Sequence, residues 1–324
     1  MIYNSILNRV GNTPIVHINV PELVQTKVYA KMEMFNPMGS VKDRAASYLL
    51  HKLLETGEIN KDTVIIESSS GNFGLALASF CREHGLKFYC VIDANIMPDN
   101  EILINHLSDK VFKITEPDAS GGYLLNRIEK VKELKRNIPN SYWVNQYENP
   151  LNAEAYYQTL GAEINDSFDK LDYLFMGVSS GGTITGVSNK VKDKFPNAKV
   201  IAVDIVGSVI FGNPPGKRKI PGIGSSKYPK ILDQAKIDEV VMVEETTSIE
   251  MCHRLFTDYR ILAGGSSGSA LAAILSYFYK NPPGKHTTVI TVFPDRGDRY
   301  ASTIYNPEWC ATFPRKEVMN AISQ

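Results

Sequence analysis

Short runs of β-branched and aromatic residues alternate along the chain with longer stretches whose apolar positions recur every three or four residues. That is the rhythm of parallel strands joined by covering helices. The pattern predicts strands over Val28–Lys31, Thr63–Glu67, Lys87–Asp93, Lys110–Ile114, Ser141–Asn145, Tyr173–Val178, Lys199–Ile205, Glu239–Val243 and Thr288–Phe293. Between the first two, KDRAASYLLHKLLETG spaces its apolar residues for one buried helix face and stops at Gly57. The fold class expected is α/β, without internal repeats. Turn chemistry places a division of the chain at Asn149-Pro150. The long Gly/Pro-rich stretch Gly207–Pro229 reads as part of an active-site rim, because long loops in compact domains are mostly functional.

Length and composition narrow the function. With 324 residues, 43% hydrophobic and 22% charged, the chain can bury one large core or two ordinary ones. No run approaches the ~18 apolar residues of a membrane span. The opening MIYNSILNRVGNTP lacks the build of a signal peptide, so a cytoplasmic protein is expected. The 35 basic residues balance 35 acidic ones, which gives no electrostatic reason to expect nucleic acid or an anionic membrane. Small molecules are the expected partners. Cys81, Cys90, Cys252 and Cys310 form no C-x-x-C pair and the six histidines are scattered, so inert thiols and no metal site are expected.

Three Gly/Ser turns carry candidate chemistry. SSGGTITG, Ser179 to Gly186, follows a strand and precedes a helical pattern; its glycines permit close backbone approach, and Ser179, Ser180 and Thr183 add hydroxyls at a helix start. It outlines a phosphate cradle, but lacks the lysine of a P-loop and the spacing of the dinucleotide fingerprint. ESSSGNFGLALA could offer a carboxylate the donors of Ser69, Ser70, Gly71 and Asn72, or be an ordinary N-cap. AGGSSGSALAAIL again puts hydroxyls at the start of an apolar helix. Ligands of open α/β sheets sit outside the carboxyl ends of the strands, where such turns gather. Lys42 in NPMGSVKDR, directly after a Pro/Gly/Ser turn, adds an amine. Amine, phosphate cradle and carboxylate turn together suit pyridoxal phosphate, with the lysine pKa lowered enough to free a nucleophile.

As an ordered set, NPMGSVKDR, SSGNFG, NQYENPLN, GVSSGGTITG and AGGSSGS make the chain similar to the pyridoxal-phosphate β-replacement family of cysteine synthase and cystathionine β-synthase. The resemblance runs from GNTP at Gly11 to DRGDRY at Asp295. It implies the type II fold: two open, mostly parallel sheets flanked by helices. A smaller mobile substrate domain would comprise residues 36–149, and a larger cofactor domain residues 1–35 and 150–324. It makes Lys42 the Schiff-base lysine and gives the cofactor phosphate to Ser179, Ser180, Gly181, Gly182 and Thr183. Asn72 becomes the partner of the 3′ oxygen, and Ser69, Ser70 and Gly71 the binders of the substrate α-carboxylate. Ser266 would face the pyridine nitrogen; a hydroxyl does not hold that nitrogen protonated, which favours elimination over transamination. Relatives are homodimers.

Further stretches, EPDASGGYLLNRI, GSVIFG, IPGIGSSKYPKIL and FPDRGDRY, resemble the group of N-(2-amino-2-carboxyethyl)-L-glutamate synthases. This narrower resemblance implies O-phospho-L-serine and L-glutamate as substrates, on a route to 2,3-diaminopropionate for a siderophore or antibiotic. Lys42 would remove the Cα proton, phosphate would leave, and the glutamate amine would add to the β-carbon. The extra anionic charge calls for a fixed cation; Arg127, after the Gly121-Gly122 turn, is the candidate. Tyr147 and Ser179 would contact substrate through their hydroxyls, and Gln146 joins Tyr147 in the same motif. Phe73, in place of a hydroxyl residue, and Tyr156, where relatives often carry histidine, depart from the family pattern. The competing expectations are a cysteine synthase using sulfide with O-acetylserine or O-phosphoserine, and an idle pyridoxal-phosphate protein with a regulatory role.

Overall fold

A computed structural model of the chain describes residues 2–118 and 122–313. Its strands are β1 (Ile15–Ile18), β2 (Thr26–Met32), β3 (Val64–Ser68), β4 (Lys87–Asp93), β5 (Lys110–Ile114), β6 (Ser141–Trp143), β7 (Tyr173–Gly177), β8 (Lys199–Ile205), β9 (Glu239–Val243) and β10 (Thr287–Phe293). They form a six-stranded sheet in the order β1-β2-β10-β7-β8-β9 and a four-stranded sheet in the order β5-β4-β3-β6. Every pairing is parallel except β1 with β2. The α/β expectation of two mostly parallel sheets therefore holds.

Each predicted strand is present with small shifts of its ends. The Ser141–Asn145 prediction overruns: β6 stops at Trp143, and Asn145 takes a positive φ of 50° that no strand accommodates. The antiparallel edge strand β1 was not predicted. It has four residues and a burial pattern without clean alternation, so no period-2 signal announces it.

The helices are α1 (Lys42–Glu55), α2 (Asn72–Glu83), α3 (Pro98–Leu107), α4 (Leu124–Asn137), α5 (Pro150–Tyr156), α6 (Ala162–Ser167), α7 (Gly182–Lys194), α8 (Glu245–Tyr259), α9 (Gly265–Lys280) and α10 (Pro307–Cys310), with a π turn over Tyr157–Gly161 joining α5 to α6. The predicted division at Asn149-Pro150 is the start of α5: Asn149 accepts from the Leu151 amide at 3.0 Å, and Pro150 supplies the first helical position. One apolar cluster runs from α1 and α2 through α5 to α7 and β7; a second lies between α8, α9 and the other face of the larger sheet. Strands such as β3 and β8 are buried on both faces over most of their length, which is why apolar side chains fill adjacent positions, 64–66 and 200–203, instead of alternating with polar ones.

Close helix approach depends on a small residue. A Cβ on Gly186 of α7 would come within 2.2 Å of the Ala153 carbonyl of α5. This approach brings Tyr156 of α5 against the start of α7.

Candidate active site

The three Gly/Ser turns and Lys42 come together at the carboxyl ends of the strands, around a cavity of about 340 Å³. That volume lies within the range of small-molecule sites.

Lys42 opens α1, and the backbone before it is pinned to the end of β10. The Val41 amide donates to the Pro294 carbonyl at 2.8 Å, and the Arg296 amide to the Gly39 carbonyl at 3.2 Å. Gly39 has φ +79°, and the Arg296 side chain would lie 2.4 Å from a Cβ there, so both conformation and space demand glycine. After the lysine, Asp43 accepts from the Met38 amide at 2.6 Å. Arg44 is fully buried, with Nε 2.6 Å from Glu33 Oε2 and Nη1 2.6 Å from Glu163 Oε1. The lysine thus projects from a rigid mount. Burial pushes its amine down to about 8, partly opposed by the charge of Asp295. Its Nζ donates to Ser180 Oγ at 3.3 Å.

Ser179, Ser180, Gly181 and Thr183 line the cavity at the N-terminus of α7. Gly181 is left-handed, φ +86°, which turns the chain from β7 into the helix. Gly182 itself does not line the cavity; a Cβ on it would press within 2.5 Å of Asn152, so its smallness seats the turn on α5. The first amides of a helix lack intrahelical acceptors and carry the positive end of its dipole, which suits a phosphate. Ser179 Oγ donates to the Gly224 carbonyl at 3.2 Å, and the Gly224 amide to the Val178 carbonyl at 2.7 Å. The Gly207–Pro229 stretch, which contains no helix or strand, is therefore docked on the cradle, and its Pro221 and Gly222 line the cavity as the rim expectation requires. Tyr156 is fully buried beside Thr183, and Phe73 lines the cavity.

Ser266, in the first turn of α9, is buried and lines the same cavity. The turn before α2 is more committed than its sequence suggests. Ser69 Oγ accepts from the Gly74 amide at 2.9 Å, the local capping alternative, which leaves its O–H for a ligand. Ser70 Oγ donates to Asp93 at 3.0 Å and accepts from Arg127 Nη1 at 3.1 Å. Gly71 and Asn72 line the cavity beside them.

Arg127 reaches this turn from α4; Gly121 of the turn preceding it lies outside the described residues. Its Nη1 is 3.0 Å from Asp93 Oδ2, while its buried Nε has no partner. Gln146 Nε2 donates to the Ser68 carbonyl at 3.5 Å, a long contact, and Tyr147, whose phenol pKa is raised by burial, lines the cavity. Behind them burial pushes the Glu67 carboxyl up to about 8.

The sequence reading assigned no role to Asp93, Glu67, Asp295, Arg299 or Tyr300. Asn72 Nδ2 donates to Asp295 Oδ2 at 2.7 Å, and Asn72 Oδ1 accepts from Arg299. Tyr300 donates its hydroxyl to the same Asp295 oxygen. The signal available was position: FPDRGDRY puts its polar run directly after the last apolar strand, on the edge where ligands bind.

Among the described residues no group of histidine, cysteine and carboxylate side chains is arranged to hold a metal ion, and no helix is long and apolar enough to cross a membrane. Cys81, Cys90 and Cys252 are buried, and burial pushes the thiols of Cys90 and Cys252 up to about 12.

A low-pKa amine tied to a glycine-lined anion cradle, with a serine at one helix start and an asparagine at another, is a donor set that fits pyridoxal phosphate. Fold and site together define a pyridoxal-phosphate enzyme of the two-sheet type. The sequence profile of the pyridoxal-phosphate dependent enzyme family matches residues 6–295, and the chain belongs to that family. Among solved structures it is similar to an O-acetylserine dependent cystathionine β-synthase from Helicobacter pylori: 33% identity, TM-score 0.87, covering 94% of this chain and 100% of that one. A hydrogen sulfide-producing enzyme from Fusobacterium nucleatum matches at 32% identity and TM-score 0.85, over 92% of this chain and all, 100%, of that one. A mutant of O-ureido-L-serine synthase with O-ureido-L-serine bound matches at 28% identity and TM-score 0.86, covering 96% and 98%.

Proposed function

We propose that the protein catalyses β-replacement on O-phospho-L-serine with the amine of L-glutamate as nucleophile, giving N-(2-amino-2-carboxyethyl)-L-glutamate and phosphate. The family match and the serine derivatives named for the similar proteins support replacement at the β-carbon of a serine derivative. The observation that carries the anionic nucleophile is Arg127, which lines the cavity beside Ser70 with its guanidinium anchored there by Asp93. Sulfide needs no such cation. A glutamate carboxylate does, and a guanidinium holds it through paired, charge-assisted bonds.

Pyridoxal phosphate, when bound, supplies a ring that spreads the negative charge developing at Cα of the substrate. The cradle from Ser179 to Thr183 would hold the cofactor phosphate, Ser266 would sit at the ring nitrogen and Asn72 at the ring oxygen. The Ser69–Asn72 turn would hold the substrate α-carboxylate through backbone amides and the Ser69 hydroxyl, because the Ser70 hydroxyl is engaged by Asp93 and Arg127. Lys42, as a neutral amine, takes the Cα proton as general base; the Cβ–O bond then breaks and phosphate departs with the electron pair. The glutamate nitrogen forms the new Cβ–N bond and loses a proton, and Lys42 returns a proton to Cα. Gln146 and Tyr147 complete the wall on the substrate side. Within the smaller unit, residues 36–149, the four-stranded sheet would close over the reacting carbons and exclude water while the Lys42 turn stays pinned to the end of β10, and two chains would associate as a homodimer. The product would supply 2,3-diaminopropionate for a siderophore or antibiotic.

The deciding experiment is phosphate release from O-phospho-L-serine with and without L-glutamate, followed by mass analysis of the product. Glutamate-dependent turnover and the amine adduct support the reading. A single burst of phosphate that glutamate never accelerates removes this nucleophile and leaves sulfide, with O-acetylserine or O-phosphoserine as the donor, as the alternative.

A further inference from the structure

The side-chain amide of Asn72 is gripped at both ends. Its Nδ2 donates to Asp295 Oδ2 at 2.7 Å, and its Oδ1 accepts from Arg299. A carboxylate only accepts and a guanidinium only donates, so the opposite flip would set oxygen against oxygen and N–H against N–H. One flip alone is compatible with both neighbours. The bond to Asp295 uses one Nδ2 hydrogen, and the second is left on a residue that lines the cavity.

We propose that Asp295 is a positioning residue: together with Arg299 it fixes the Asn72 amide so that its remaining N–H faces the cavity and donates to the ring oxygen of the cofactor. The inference rests on the reading of Asn72 as the partner of that oxygen.

Asp295 is itself built into place. It is buried, its Oδ2 also accepts from Tyr300, and its backbone carbonyl accepts from the Gly264 amide at 3.2 Å. Its Oδ1 lies over Gly264, where a Cβ would fall 2.0 Å away, so the carboxyl fits only because that residue is glycine. Arg299 also donates to the Met38 carbonyl, in the turn that leads to Lys42. The same pair of charges therefore references Asn72 and the lysine turn to one point at the end of β10. A hydrogen-bonded neighbour that orients a contacting group is the general way in which outer residues tune a site.

The test uses the purified holoenzyme and its Asn72→Ala, Asp295→Ala, Asp295→Asn and Asn72→Ala/Asp295→Ala variants. The readouts, taken above about pH 9 where the Lys42 amine is free with or without the charge of Asp295, are the visible absorption band of the bound cofactor and the dissociation constant for cofactor. Asn72→Ala is expected to shift the band and weaken retention about five- to tenfold, the worth of one net hydrogen bond. Asp295→Ala should produce the same shift, and the double variant nothing further, because both remove one contact. Asp295→Asn keeps an oxygen acceptor and should stay within about twofold of the parent. Effects that add in the double variant, or an Asp295→Ala protein with an unshifted band, overturn the clamp. If Asn72→Ala leaves both readouts unchanged, the assignment of Asn72 itself fails and the clamp with it. Should Asp295→Ala lose its fold by circular dichroism, Asp295→Ser, whose hydroxyl is too short to reach Nδ2, decides by the same comparison.

Discussion

Lys42 Nζ donates to Ser180 Oγ at 3.3 Å although 138 positions separate the two residues. The bond joins the amine to the anion cradle, so the lysine is registered against the helix start that would hold a phosphate. With burial drawing its pKa down to about 8, the amine is an accessible base near neutral pH.

The pH dependence of cofactor capture follows from that value. A lowered lysine pKa means the free amine disappears as pH falls below about 8. At pH 7 about one site in ten carries it. The rate at which apoprotein captures added pyridoxal phosphate should rise roughly tenfold per pH unit up to that point and level off above it. A stopped-flow profile still climbing toward pH 10 contradicts the burial account, and Lys42→Ala should show no capture and no turnover.

Arg127→Met should raise the KM for glutamate by roughly 10- to 100-fold, the loss of one charge-assisted contact. Asp93→Asn, which releases the partner 3.0 Å from Nη1, should lower that KM instead. Steady-state kinetics varying glutamate at saturating O-phospho-L-serine check both signs. Unchanged constants in both variants exclude Arg127 from the substrate site.

The mount of Lys42 predicts a stability effect. Glu33 and Arg44 have fully buried side chains 2.6 Å apart, so Arg44→Leu strands a carboxylate in the core and should cost about 3–5 kcal/mol. Adding Glu33→Leu removes that stranded charge and should restore part of the loss. Urea unfolding midpoints of the two proteins decide the sign of the recovery.

Glu67 gives a second pH signature. Its folded pKa is raised by burial from 4.5 to about 8, so the fold favours the protonated form. Stability from this group is full below about 4.5 and is lost as pH rises through about 8. Glu67→Gln cannot titrate, and its stability should gain on the parent by up to ~1.4 kcal/mol per pH unit between those limits. Denaturant curves at pH 5, 6.5 and 8 would reveal a constant difference if Glu67 were ordinary.

Much of this was legible because the relevant signals are local. The β3 run Val64–Ser68 is buried along its whole length and opens on the β-branched Val64, Ile65 and Ile66, and the cradle from Ser179 to Thr183 announces itself by glycines and hydroxyls at a helix start. The ordered motifs picked out Lys42, Asn72 and Ser266, which the structure brings to one cavity. The engagement of the Ser70 hydroxyl by Asp93 and Arg127 was not legible, since nothing in SSSGN marks which hydroxyl is free. Asp295 was hidden for a related reason: its partner Asn72 lies 223 positions away, and a lone aspartate after a strand carries no spacing to betray it. The edge strand β1 escaped because its four residues run from half-buried Ile15 through exposed Val16 and His17 to buried Ile18, a pattern without a period of two.

The adjacency of β2 and β10 in the larger sheet has a consequence for synthesis. Thr26 to Met32 pair with Thr287 to Phe293, so an early segment waits for one of the last. At about 5–20 residues per second, roughly 10–50 s pass between translation of Lys42 and of the strand against which its turn docks. During that interval the lysine is an ordinary solvated amine. Until β10 arrives the nascent chain lacks the docked turn and its low-pKa amine, so selective uptake of the cofactor at Lys42 by ribosome-bound chains would mark the assembly of the site.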